Sequence, residues 1–433
     1  MRYSSRGRWA AALAMALLAF GRMGEAQQSS FEQTVADLTS NDRDVRRRAA
    51  EDLKESAFPE AALPLAKAVL DADDGVQHEA IMGELNVFLA ERVVPRKRVG
   101  LVIEVRNHVS PRSIFERGWR NLDARTVPGS VLTALRSATH DDNAQIGIEA
   151  LYAFGSLSGN TYGTDRDALL AGSAAELGAL LGNADLHVRE AAVMVVARMY
   201  ERRPGEGPVD QALGDALVTT LNDSDGIVRR GAMGALGALR YERGVQALSD
   251  IVEHYERGPE AEAALSALAR IAHPSSMPLF TSLLASRDGS LKASAIEGLA
   301  RSGNQAYAAP IAEAVAKDRR ADVQLAAHFA DAILNEGSID DLVEGLTRPT
   351  LHDRALRFLS EVAPGRSATF SPQLPDPKPS VRADLLDALG LSNDPDLASQ
   401  AERLLNDPDP MVARTATRAV FRLKGQRAPM TRP

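Results

Sequence analysis

The chain has 433 residues, 45% of them hydrophobic, only 5% aromatic and none cysteine, with a formal net charge of −8. That length buries a large core, as two or three domains or as one elongated array, and the acidic balance speaks against a general nucleic-acid binder. The lack of cysteine excludes disulfides, thiolate metal sites and cysteine nucleophiles, while the Ala- and Leu-rich, aromatic-poor composition favours closely packed helices over a sandwich or barrel.

The first element is a leader. Arg2, Arg6 and Arg8 precede an apolar run from Trp9 to Phe20, and Gly24 and Ala26 supply the small residues of a cleavage site. This is the pattern of a secretory signal peptide cut after Ala26. The run of about 12 residues is too short to cross a hydrocarbon core of about 30 Å as a helix. Removing residues 1–26 takes away four Arg and one Glu and moves the net charge from −8 to −11. The expectation is an exported chain, periplasmic or secreted, with no membrane insertion after cleavage.

Beyond the leader one frame recurs. Asp225 lies three residues before Val228, and Ala232 four after it. The same frame returns as Asp42, Val45 and Ala49; Asp73, Val76 and Ala80; Asp185, Val188 and Ala192; Asp288, Leu291 and Ala295; and Asp409, Val412 and Ala416. Looser copies are Asn143, Ile146 and Ala150; Val323 and Ala327; Leu351 and Ala355; Val381 and Leu385; and a degenerate copy around Ala264. From Val188 to Val412 successive anchors are 28 to 40 residues apart, a period that predicts an all-α fold, an α-solenoid of about eleven or twelve helix pairs.

Physical chemistry accounts for the frame. The Asp accepts hydrogen bonds from free N–H groups at a helix start. Val228, Ala232, Ala235, Leu236 and Leu239 form one apolar stripe on the helix behind it, and Leu213, Leu217 and Leu221 form a matching stripe on the helix before it. The alanine is small because helices approach closely there. Gly155, Gly244, Gly303 and Gly390 are expected just past second helices, as left-handed ends.

Helix pairs with this Asp-x-x-Val-Arg-x-x-Ala outline resemble HEAT repeats, especially the short class named for phycobilisome chromophore lyases, over about Phe31 to Leu423. The resemblance implies a scaffold whose surface holds another macromolecule. It also brings two enzymatic alternatives, a chromophore-lyase-like protein and a metal-dependent protein like deoxyhypusine hydroxylase, whose His-Glu dyads hold a di-iron centre. His78 and Glu79 provide one such dyad, but the corresponding positions elsewhere read Arg47-Arg48, Glu190-Ala191 and Arg230-Gly231. No catalytic, cofactor or metal residue is therefore assigned. The Gly- and Ser-rich stretch at 152–165 reads as a loop between repeats.

Residues 92–125 interrupt the ladder with nine basic residues against Glu104, Glu116 and Asp123. They read as a divergent repeat, with a first helix near Arg96 to Arg106, Ser110 as N-cap and a second helix from Pro111 to about Leu122. The stretch 99–105 also reads as a short strand. Arg96, Lys97, Arg98, Arg106, Arg112, Arg117 and Arg120, gathered around Trp119, are the candidate partner-binding residues, because Arg and Trp are enriched at binding hot spots. Trp119 filling the core of a divergent repeat is the competing reading.

The organisation is thus a signal peptide at 1–26, N-terminal repeats at 27–91, the basic repeat or insert at 92–130, the main array at 131–425 and a tail at 426–433. The proline-rich stretch 371–380 is the best hinge candidate. The functional expectation is an exported, non-enzymatic scaffold without a cofactor, binding a protein partner with an acidic surface.

Overall fold

The computed structural model describes residues 30–90, 110–202 and 209–425. Every regular element among them is a helix, and the chain is a helical-repeat solenoid. A repeat is a first helix, a tight turn and a second helix. Outside the divergent repeat, second helices run from Arg43–Ser56 to Pro410–Lys424 and span 11 to 15 residues. All but one are longer than their first helix, the exception being Leu186–Met199, with 14 residues against 18 in Gly163–Leu180. Several first helices are much shorter, with seven residues at Ala62–Ala68, six at Asp340–Gly345 and four at Ser367–Phe370. The chain divides into two compact units. The smaller joins Met1–Pro111 to Pro128–Ala153, and the larger joins Arg112–Val127 to Phe154–Pro433.

The aspartates of the frame are N-caps. Asp42 accepts from the backbone N–H of Asp44, Asp73 from Gly75 and Val76, and Asp185 from His187 and Val188. Asp225 accepts from Ile227 and Val228, Asp288 from Leu291, and Asp409 from Met411 and Val412. In the loose copy, Asn143 accepts from Gln145 N–H. The degenerate copy begins instead on Gly258, at φ +93°, with Pro259 at the first helical position.

The apolar positions form the core. Val228, Ala232, Ala235, Leu236 and Leu239 are fully buried, as are Leu213 and Leu217 opposite them. Two positions depart from the frame. Val45 is only half-buried, and its repeat is the first among the described residues, with no described repeat before it. Ala327 is also half-buried while Ala326 is inside; that helix starts on Arg320 without a side-chain cap, and its core-facing stripe is turned by one residue.

The glycines behave differently from expectation. Only Gly303, at φ +66°, takes the left-handed conformation; Gly155 and Gly390 lie inside their helices, and Gly244 is in an ordinary helical turn. Gly390 is small because a Cβ there would stand 3.0 Å from the Cα of Ala419 on the next second helix. Non-glycine residues end several helices, with Ala57, Arg240 and Ala272 at positive φ.

An arginine after the apolar anchor has a role that the periodicity does not reveal. Arg46 donates from Nη1 to the Ser40 carbonyl of its own turn at 2.9 Å, and reaches Asp71 of the next turn with Nε and Nη2 at 2.7 and 2.9 Å. Arg189 does the same with the Asn183 carbonyl and Asp223, and Arg382 with the Asp376 carbonyl and Asp407. Lys292 reaches Asp318 at 3.1 Å. Asp71, Asp223 and Asp407 in turn accept from the backbone N–H of the next capping residue. The hydrogen bonds from Arg189 and Arg382 hold Asp223 and Asp407 below the ordinary carboxylate range; at Asp71 burial opposes the Arg46 bond without overcoming it.

Within the larger unit the C-terminal ends of second helices meet in a charged hub. Arg301 forms a two-pronged pair with Glu361, 60 residues away, at 2.7 and 3.0 Å, and reaches Glu297 at 3.0 Å and the Ala269 carbonyl at 3.2 Å. Arg240 approaches Glu361 at 3.4 Å, Arg354 approaches Glu297 at 2.8 Å, and Arg270 pairs with Glu201 at 2.7 Å. The stacked rings of Phe329 and Phe358, 4.1 Å apart, lie beside the Arg301 guanidinium. Burial alone would raise Glu361, but Arg301, Arg240 and Arg270 bring it down to about 2. The same unit brings its last repeat against residues at its start, since the Tyr162 and Phe421 rings are 5.9 Å apart and Gly163 lies close against the Gly425 backbone.

Two substitutions test this account. Val228→Asp places a charge at a fully buried position and is expected to cost about 3–5 kcal/mol in denaturant unfolding; an unchanged midpoint would show that Val228 is not core. Glu361→Gln is expected to cost about 3 kcal/mol at pH 7, because Arg301 loses its main counter-charge. A carboxylate with a depressed folded pKa stabilises above its unfolded value of about 4.3, and that contribution fades as pH falls toward about 2. The gap between parent and Glu361→Gln should therefore narrow from pH 5 to pH 2.5, and a constant gap would refute the ionic role.

Candidate functional site

The stretch that the sequence singles out is only partly described. Arg96, Lys97, Arg98 and Arg106, the expected helix around them and the alternative strand at 99–105 lie outside the described residues. The second helix begins at Pro111 as expected, but it stops at Arg117 rather than Leu122. Gly118, at φ +72°, ends it, and a short helical turn, Trp119–Asn121, follows. From Leu122 to Pro128 the chain has no helix. Leu122, Ala124 and Val127 are buried, while Asp123 and Arg125 are less so and pair with each other at 3.0 Å.

An extended stretch leaves its carbonyls without helical partners, and here side chains take them. Arg418 donates from Nη2 to the Leu122 carbonyl at 2.5 Å. Asn160 donates from Nδ2 to the Asp123 carbonyl at 2.5 Å and the Arg125 carbonyl at 3.1 Å, and the Tyr162 hydroxyl donates to the Ala124 carbonyl at 3.3 Å. Asn160, Tyr162 and Arg418 are all buried. Asn160 and Tyr162 fall in the Gly- and Ser-rich stretch 152–165 read as a loop, which is mostly helical instead: 152–157 end the helix Ala144–Leu157, Ser158–Asn160 form a tightly packed helical turn, and the helix Gly163–Leu180 starts three residues later.

The basic and aromatic residues of this segment meet the last two second helices, Pro379–Leu391 and Pro410–Lys424. Arg120 pairs with Asp387 from Nε at 2.7 Å and with Asp384 from Nη2; both carboxylates are only 2% exposed. Burial works against the Arg120 charge, and the two aspartates outweigh it, so its pKa is raised. Trp119 lies under the Arg422 guanidinium, 4.4 Å from ring centre to charge. Burial, and then the neighbouring Arg418 charge, bring Arg422 down to about 10. Arg112 pairs on the surface with Glu116 at 2.8 Å and Glu190 at 3.0 Å, and Arg117 is exposed. The structure thus gathers Trp119 and Arg120 into one site and leaves Arg112 and Arg117 outside it.

Sequence reasoning missed Asn160, Tyr162, Asp384, Asp387, Arg418 and Arg422. A signal for four of them was present: Asp384 and Asp387, and Arg418 and Arg422, stand at helical spacing on helices whose other residues are largely apolar. Elsewhere, His78 pairs with Glu149 at 2.7 Å and Glu79 with Lys54. Among the described residues no group of three or more His, Asp and Glu converges as metal ligands would. The proline-rich stretch at 371–380 lies inside the larger unit and repeats the usual turn, with Leu374 buried and Asp376 accepting from the Lys378 N–H.

His352 borders the site and gives it a measurable pH dependence. Its Nε2 is 3.0 Å from Asp384 and its Nδ1 2.9 Å from Asp353. Burial and the Arg120 charge lower its pKa, but Asp353 and Asp384 raise it more, and the net direction is upward. A raised histidine stabilises below its unfolded value of about 6.5 and loses that contribution as pH rises through the folded value. His352→Gln should therefore destabilise the chain more at pH 5.5 than at pH 8.5 in denaturant unfolding, and an equal loss at both would refute the charged pair.

No family model matches the chain, and no curated relative matches it. Among solved structures, an engineered protein is 19% identical over 91% of this chain and 98% of its own, with a TM-score of 0.43. A designed armadillo repeat protein in complex with a (KR)4 peptide is 20% identical over 55% of this chain and 98% of its own, at 0.38. A mutant of Kap121p is 15% identical over 91% of this chain and 45% of its own, at 0.39. At these scores the likenesses add nothing to what the repeat itself shows.

Proposed function

We propose that the chain is an exported, non-enzymatic scaffold of short HEAT-like repeats that binds a protein partner and uses no cofactor, with the mature protein beginning at Gln27. The observation that carries this reading is the way the larger unit holds residues 122–125, with side-chain donors on four successive main-chain carbonyls. Such contacts suit an extended protein segment of any sequence. The pairings of His78 and Glu79 favour a structural role for that dyad over a di-iron one. The basic group Arg96, Lys97, Arg98 and Arg106, with Arg112 and Arg117, forms the second part of the proposed surface, one that attracts an acidic partner.

The test is capture by the purified mature chain from the extracytoplasmic fraction. A partner retained in stoichiometric amount is expected, with retention weakening as salt rises. Replacing Arg96, Lys97 and Arg98 together with Ala should reduce capture at an unchanged melting temperature; unchanged capture would remove the basic segment from the surface. Exported protein that still begins at Met1 would overturn the cleavage assignment, and stoichiometric iron in the purified chain would overturn the scaffold reading.

A further inference from the structure

We propose that the face formed by Pro379–Leu391, Pro410–Lys424 and the Ser158–Tyr162 turn is a receptor for an extended peptide bearing an aromatic–arginine pair, which residues 119–125 occupy in cis as a displaceable stand-in. The proposal rests on the scaffold reading and names its ligand.

Three observations carry it. The first is connectivity: residues 112–127 belong to the larger unit although the chain on both sides, up to Pro111 and from Pro128 to Ala153, belongs to the smaller. The segment is an excursion from the order of the repeats and lies against the last two of them. The second is the mode of contact. The hydrogen bonds from Arg418, Asn160 and Tyr162 to residues 122–125 go to main-chain oxygens and so select no side chain, while Leu122 and Ala124 add buried apolar contact. Selectivity comes from two places: Asp384 and Asp387 converge on one guanidinium, and Trp119 lies between Arg422 and Gly159, where a Cβ would stand 3.2 Å from the indole. A paired carboxylate for arginine beside a slot for an aromatic ring is the chemistry of a specific anchor.

The third observation is that the stand-in fills the face incompletely. The Nε and Nη1 atoms of both Arg418 and Arg422, and the Oδ1 of Asn160, are buried without a hydrogen-bond partner. Buried donors and acceptors left unused cost free energy. A competing peptide with acceptors beside the two guanidinium groups and a donor beside the Asn160 Oδ1 recovers it, which gives displacement a driving force. A tethered segment competes at an effective concentration of order millimolar, so a free peptide of identical sequence binds the intact chain only weakly.

The experiment uses the full mature chain and a fluorescein-labelled peptide of residues 117–127, read by anisotropy. Trp119→Ala/Arg120→Ala, which weakens the stand-in, is expected to bind the peptide at least tenfold tighter than wild type. Adding Asp384→Asn/Asp387→Asn, or replacing the peptide's arginine at position 120 with Ala, is expected to abolish the gain. A cooperatively melting Trp119→Ala/Arg120→Ala chain that binds no tighter than wild type overturns the proposal, as does binding that survives loss of both aspartates. If that variant does not fold, hydrogen exchange on wild type with millimolar peptide decides. Protection at 119–125 should fall at least tenfold while Pro410–Lys424 is unchanged, and unchanged protection at 119–125 overturns the proposal. Concentration-dependent dimerisation of wild type that Arg120→Ala abolishes would assign the face to a second copy and overturn the foreign-peptide ligand. A partner captured equally by wild type and Trp119→Ala/Arg120→Ala would leave the scaffold standing and remove this face from it.

Discussion

Every helix leaves free N–H groups at its start and free carbonyls at its end, and a chain built of many short helices multiplies that demand. The aspartate frame answers it at the N-termini, where one carboxylate takes two N–H groups in Asp73, Asp185, Asp225 and Asp409. Arginines answer it at the C-termini. Arg301 takes the Ala269 carbonyl, Arg366 the Ala332 carbonyl and Arg166 the Met199 carbonyl, each adding a positive charge where the helix dipole is negative. Because Arg301 and Arg366 come from a different repeat than the carbonyls they satisfy, while Arg166 caps the second helix of its own repeat, capping and repeat-to-repeat adhesion are one interaction at the first two.

The consequence in the larger unit is that its second helices have little free inner face. In Gly289–Arg301 every residue from 291 to 300 is buried, Lys292 and Glu297 included, and Glu297 meets Arg354 from two repeats away. An open concave groove along that helix is therefore not the binding surface. In Pro379–Leu391 the inward carboxylates of Asp384 and Asp387 face a segment from early in the chain instead of another second helix. A polar contact with a partner 267 residues away is the place where the repeat logic gives way to something else.

The parts of the fold legible in the sequence were those set by local spacing. The capping aspartates, the stripe from Val228 to Leu239 and the start of the helix at Pro111 all follow from residues within one or two turns of each other. The Arg46–Asp71 type of ladder was within reach too, since its arginine is part of the recurring outline, but the outline does not say which carboxylate it meets. Gly155 and Gly390 were misread because a glycine that admits a neighbouring helix and a glycine that ends its own look alike without the neighbour. The pairs Arg301–Glu361, Arg120–Asp387 and Arg418–Leu122 were illegible for the same reason, since their partners are separated by 60, 267 and 296 residues and periodicity carries no information about such distances.

The charge balance around Arg120 also bears on why such a segment would be kept. Asp384 and Asp387 are almost completely buried, and with Arg120 removed, among the described residues His352 alone would pair with Asp384, leaving Asp387 with the distant charge of Arg422. Two carboxylates stranded in a dry site cost about 3–5 kcal/mol, a large share of the stability of an ordinary domain. The last two repeats are thus least stable when their inner face is empty. A face whose specificity comes from buried charge needs an occupant at all times, and an occupant carried on the same chain meets that need without a partner. Its main-chain contacts are generic, so exchange for another extended segment replaces one set of carbonyls with an equivalent set. The arginine and the aromatic ring beside it are the features that a competitor has to supply.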